Sequence, residues 1–122
     1  MNLTEHFTLA EFSSPDGRPT PQRHIYWLRL LCVEYLEPLR DAFGPVHVTS
    51  GHRSAAHNSK VGGAPRSFHL RRNRRAGAAA DVWCERGSPS EWAEFLEDRG
   101  CPGVGRYIDH VHADNRAGRA RW

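Results

Sequence analysis

The sequence predicts an α+β fold, a small antiparallel sheet with flanking helices, built as one domain over residues 1–122. Two observations predict it. Ile25, Leu28, Leu31/Cys32, Tyr35/Leu36, Leu39 and Phe43 recur at three- and four-residue steps, which gives one long amphipathic helix. Short apolar, β-prone runs (Val46–Val48, Val82–Cys84, Val104–Ile108, 110–114) follow it, and helices and antiparallel strands in this order indicate α+β.

Taken in order, Phe7, Leu9 and Phe12 around Glu11 suggest a short helical turn, and residues 13–19 (SSPDGRP) are turn chemistry. In the long helix, Pro38 is expected to kink the last turns and Gly44-Pro45 to end it. Val46 and Val48 open a strand that runs into Thr49-Ser50-Gly51. Ser54 can cap a brief helix to Lys60, stopped by Gly62-Gly63, and residues 64–77 look irregular. Ala78 to Cys84 favours a strand. Ser88 and Glu91 form a capping box for a second amphipathic helix whose inner face is Trp92, Phe95 and Leu96. Residues 104–108 and 110–114 read as two closing strands, and residues 116–122 as a partly frayed tail.

Composition narrows the function classes. Of 122 residues, 39% are hydrophobic, and four Trp, five Phe and three Tyr supply large burial units, so the chain is not disordered. No apolar run approaches the roughly 20 residues that span a bilayer. The opening residues lack the basic and apolar regions of a signal peptide, so synthesis in the cytoplasm is expected. Seventeen basic against 14 acidic residues give a net charge of +3, with Lys60 the one lysine. The basicity concentrates in Arg71, Arg72, Arg74 and Arg75, with Arg66 just upstream. That run reads first as a solvated loop and second as a contact for an anionic polymer. No aromatic residues interleave with it, which argues against nucleic acid as a partner. Cys32, Cys84 and Cys101 form no metal-binding spacing and read as reduced, mostly core, thiols.

The chemistry concentrates in a few acids and histidines. Eight histidines are present, and His6, His24, His47 and His57 read as surface or packing residues. Asp81 stands among Ala78, Ala79, Ala80, Val82 and Trp83, and a carboxylate there is costly to bury unless it is paired or binds a cation. In Asp109-His110-Val111-His112, a regular strand would set both histidines on one face. Two imidazoles and a carboxylate suit Zn²⁺, and three protein ligands leave the fourth tetrahedral position open, as in a catalytic centre.

Several runs now agree. Residues 50–54 (SGHRS), Asn58, Val61-Gly62-Gly63, Ser67-Phe68-His69, Gly77/Ala79/Asp81 and 109–112 (DHVH) together resemble the M15 zinc peptidases. That family includes D-Ala-D-Ala carboxypeptidases, the D-Ala-D-Ala dipeptidases of vancomycin resistance and phage L-alanyl-D-glutamate endolysins. The chain is most similar to its compact single-domain branch, whose fold hedgehog domains share. The resemblance covers most of residues 45–114 and implies His69, Asp81 and His112 as zinc ligands and Asp109 as the acid/base carboxylate. Arg53 is implied to engage the substrate near the scissile bond, and Ser67 to contact the substrate or support the first ligand; His110 reads as a substrate-contacting wall of the cleft or as an alternative general base. Asn58 and residues 61–63 would shape the loop that aims Arg53 and His69, and Asp114 reads as a supporting carboxylate. His69 and Asp81 stand twelve residues apart, five more than in the family pattern, and the extra residues fall between Leu70 and Gly77. His52 stands where the family commonly has an aromatic residue, usually tyrosine.

The function so implied is zinc-dependent hydrolysis of peptide bonds in peptidoglycan stems or cross-links, by a monomer acting at the cell wall, as a phage lysin does. The alternative from another class is an inactive, zinc-bearing wall-binding module of the same fold.

Overall fold

A computed structural model of the chain describes residues 1–51, 69 and 77–122. The expected helix over 54–60 and the arginine run at 71–75 lie outside them. The fold is α+β.

The first residues form a bracket. Leu3, Phe7 and Phe12 are buried, and a 3₁₀ turn, Leu9–Phe12, is closed by the Glu11 carboxylate accepting from the Thr8 N–H at 2.9 Å. Helix α1 (Gln22–Leu31) then passes through a π-helical segment, Cys32–Leu36, into α2 (Glu37–Phe43). Its apolar stripe of Ile25, Leu28, Leu31, Cys32, Tyr35, Leu36 and Leu39 is buried as the periodicity requires. The π segment is how the helix accommodates Pro38. Glu37 N–H bonds back five residues to the Cys32 carbonyl, and Pro38 sits in the first turn of α2, where its missing donor costs least. The Glu34 carbonyl, which has no N–H at Pro38 to meet, receives Arg99 Nε at 3.4 Å. Gly44 ends α2 at φ 79°.

Strand β1 is Val46–Ser50, β2 Ala79–Cys84, β3 Gly103–Arg106, β4 Val111–Asp114 and β5 Ala120–Arg121. They form a sheet in the order β1-β2-β4-β3-β5, antiparallel except for the parallel β3/β5 pair. Between β2 and β3, helix α3 (Pro89–Asp98) starts at Ser88, whose hydroxyl accepts the Glu91 N–H at 3.3 Å. Trp92, Ala93 and Leu96 bury its inner face, while Phe95 packs partly against the core. Along the central strands one face, with Ala80, Val82, Cys84, Val111, Ala113 and Val104, joins the core cluster that includes the helical stripes. The other carries Asp81, Trp83, His112 and Asp114.

Two expectations are corrected. Residues 116–122 are not a frayed tail throughout: Ala120 and Arg121 extend the sheet, and Trp122 exchanges backbone bonds with Arg106 N–H (2.7 Å) and the Val104 carbonyl (3.1 Å). His110 does not share a strand face with His112, because β4 begins at Val111 and His110 lies in the preceding turn, closed by Tyr107 N–H to the His110 carbonyl at 3.3 Å.

Candidate metal centre

The register of β2 and β4 builds the site. Asp81 lies directly opposite His112, and Ala79 opposite Asp114, so period-2 alternation sets the three polar side chains together on the face away from the core. His69 arrives from outside the sheet and is buried. Its Nε2 stands 3.6 Å from Asp81 Oδ2, and His112 Nδ1 stands 3.0 Å from Asp81 Oδ1. Among the described residues, His69, Asp81 and His112 form a group whose ligand atoms all lie within 4.8 Å of one another. The longer His69–Asp81 spacing therefore does not keep those two side chains apart.

Each imidazole is held by its other nitrogen. His69 Nδ1–H donates to the Gly51 carbonyl at 2.5 Å, which turns Nε2 towards Asp81. His112 Nε2–H donates to Asp114 Oδ2 at 2.7 Å, which turns Nδ1 the same way. Asp114, fully buried, is fixed in turn by Arg116, with Nε to Oδ1 at 2.8 Å and Nη2 to Oδ2 at 2.6 Å. Gly51 owes its place to sterics: a Cβ there would stand 2.6 Å from Phe12 Cα.

The glycines of β3 make room for this arrangement. A Cβ on Gly103 would meet the Asp114 carboxylate at 2.1 Å, and one on Gly105 would meet the Trp122 indole at 2.4 Å. Gly103 pairs with Asp114 and Gly105 with His112, so any larger residue would push into the support of a candidate ligand.

The electrostatics follow from these contacts. Burial alone would push the Asp81 carboxyl up, but bonds from His112 and His69 hold it well below its ordinary range. Burial also opposes charge on Asp114, yet Arg116 and His112 hold it at about 2. Burial would keep His112 neutral, and the two carboxylates overcome that and raise it. Both carboxylates are acceptors, so each favours a proton on the His112 nitrogen that faces it, and a metal at Nδ1 would take the place of the proton there. A tetrahedral ion with bonds of about 2.0–2.2 Å sets its ligands roughly 3.4 Å apart. The separations of 3.0 and 3.6 Å fit that spacing, and the N,N,O donor set fits a borderline divalent ion.

The other residues singled out in the sequence lie elsewhere. Asp109 is exposed in the β3–β4 turn, outside the three-residue group, with Oδ1 2.7 Å from His110 Nδ1. That bond holds its carboxyl below the usual value. With Thr49, Trp83 and His110, Asp109 lines a cleft of about 520 Å³. The cleft adjoins the candidate ligands, because Thr49 Oγ1 donates to the Asp81 carbonyl at 3.1 Å. Trp83 is stacked on His47 at 4.1 Å, and His47 Nε2 meets Glu85 at 2.7 Å. Arg53, Ser67, Asn58 and residues 61–63 lie outside the described residues. The three thiols are free, buried and pushed up to about 12, as inert core cysteines should be. Sequence reasoning missed the Gly51 carbonyl, Arg116 and Trp122. The alternating Gly103-Val104-Gly105 was the one visible sign of crowding on that face.

Among the described residues no helix is long and apolar enough to cross a membrane. The Peptidase M15 family profile matches residues 5–114, nearly the whole chain. No curated protein matches the chain. The chain belongs to the M15 peptidases.

Proposed function

Starting from that membership, we propose that the protein is a zinc-dependent peptidase that hydrolyses peptide bonds in peptidoglycan stem peptides or cross-links. The observation that carries the reading is the convergence of His69, Asp81 and His112, with each ring's second nitrogen committed to an acceptor outside the group. These three residues would hold the ion. Bound there, zinc would supply Lewis acidity towards a peptide carbonyl and would lower the pKa of bound water to roughly 7.

The chain's own residues do the remaining work. Asp109, kept ionised by His110, accepts the proton of the attacking water at a carboxylate oxygen and passes it to the departing amine. His110, whose Nδ1 is tied to Asp109, presents Nε2 for contact with the substrate in the cleft. By the family pattern, Arg53 steadies the developing oxyanion or a substrate carboxylate, and Ser67 contacts the substrate. The protein acts as a monomer on the wall polymer, in the manner of a phage lysin; an anionic wall suits the arginine run at 71–75, and the lack of aromatics within that run speaks against nucleic acid.

Digestion of purified peptidoglycan with and without chelator, followed by mass identification of the new ends, tests the proposal. Chelator-sensitive release of one defined terminus is expected. Wall binding without turnover would instead identify an inactive wall-binding module, and cleavage indifferent to chelator would reject the metal mechanism.

A further inference from the structure

A line of contacts leaves the candidate metal ligands and ends at the β3–β4 turn. The Trp122 indole lies against the His112 ring, with centroids 4.8 Å apart, and occupies the space that a side chain at position 105 would take. Its Nε1–H donates to the Tyr107 hydroxyl at 2.9 Å. The Tyr107 ring stacks on His110 at 4.3 Å and 9°, and His110 Nδ1 meets Asp109 at 2.7 Å. The indole is itself braced by Arg116, the residue that fixes Asp114, with Cζ 5.2 Å from the ring centroid. One side chain thus touches a candidate ligand on one side and, on the other, the turn that carries Asp109 and His110.

We infer that Trp122 and Tyr107 are positioning residues: the indole seats His112 for the metal, and its bond to Tyr107 fixes where the turn holds His110 and Asp109 over the cleft. This rests on the peptidase reading for its effect on turnover. The placement itself does not. The turn is also held by the Tyr107 N–H to His110 carbonyl bond, while Ile108 is 98% exposed and the Asp109 side chain 80% exposed. A small displacement of a proton-transferring group is enough to slow a reaction whose geometry must be met closely.

A double-mutant cycle on the metal-loaded full chain tests the inference. Trp122→Phe keeps a ring beside His112 but loses the N–H, and Tyr107→Phe keeps the stack on His110 but loses the acceptor. Each is expected to lower kcat about threefold with KM, metal affinity and melting temperature unchanged, and the double variant to be no slower than either single. Threefold effects that multiply, or a Trp122→Phe enzyme with full kcat, would overturn the coupling. Trp122→Ala is expected to weaken metal affinity about tenfold by chelator competition, with Trp122→Phe restoring it; equal affinity in all three proteins would overturn the seating of His112. A third measurement needs no turnover. The His110 ring-proton resonances, shielded by the Tyr107 face, should move downfield in Trp122→Phe, and unmoved signals would refute the clamp. If the wild-type protein cuts no stem peptide, the peptidase reading fails, while the resonances and metal affinities still decide this inference.

Discussion

The two faces of the sheet are made by the same strands and do opposite things. On β2, Ala80, Val82 and Cys84 enter the core, while Asp81, between two of them, meets a histidine from outside the sheet and another from β4. On β4, Val111 and Ala113 pack inwards, and His112 and Asp114 form the chain that Arg116 closes. One face is held by apolar burial and tolerates no charge. The other carries largely buried polar side chains, His69, Asp81, His112 and Asp114, each with a partner that satisfies it. The difference teaches that stability and ligation are separable here by a single step along a strand.

The most severe way to break the comparison is Val82→Asp, which adds a second carboxylate, one residue along, on the core face. An unpaired buried charge costs several kcal/mol against a total stability of about 5–15 kcal/mol, so loss of cooperative urea unfolding is expected. A folded variant would show that the core face is less strict than its burial implies. Asp81→Asn is the converse. Metal affinity by chelator competition should fall more than about a hundredfold, beyond the usual effect of outer-shell changes; the urea midpoint should fall as well, because His112 and His69 lose their shared partner, but unfolding should stay cooperative.

Acid titration of the metal-free protein sharpens the contrast. Asp114 is ionised down to about 2 when folded and to about 3.9 when unfolded. The native state therefore binds fewer protons in that interval. The stability from this group is complete above pH 4 and is lost as pH falls towards 2, on the order of 2 kcal/mol. Asp114→Asn should flatten that limb of a pH-dependent unfolding curve; an unchanged limb would mean that its pairing with Arg116 contributes nothing. Smallest is Ser88→Ala at the start of α3, expected to cost about 1 kcal/mol in thermal unfolding and nothing in metal affinity. A change in affinity there would show that the two faces are coupled through the helix.

The sequence made much of this legible, and physics says why. The helical stripe, β1, β2 and the Ser88 cap follow from periodicity and capping, which are local properties. Asp81 was conspicuous because a lone carboxylate among alanines needs a partner, and the spaced motifs placed His69 and His112 beside it. The π segment was not legible: Pro38 predicted a disturbance, but whether a helix kinks or widens depends on a donor such as Arg99 for the freed carbonyl, 65 residues away. β5 was missed because two residues carry no period and its order comes from pairing with β3. His110 was misplaced because a turn one residue longer ends the alternation before the strand begins.

The Gly51–Phe12 contact has a consequence for substitutions outside the site. Gly51 supplies the carbonyl that orients His69, and it rests on the backbone of a bracket whose first link is the Met1 carbonyl, bonded to Leu9 N–H at 2.9 Å. A substitution at Leu3, Phe7 or Phe12 that loosens the bracket should therefore reach the candidate ligand His69 through Gly51.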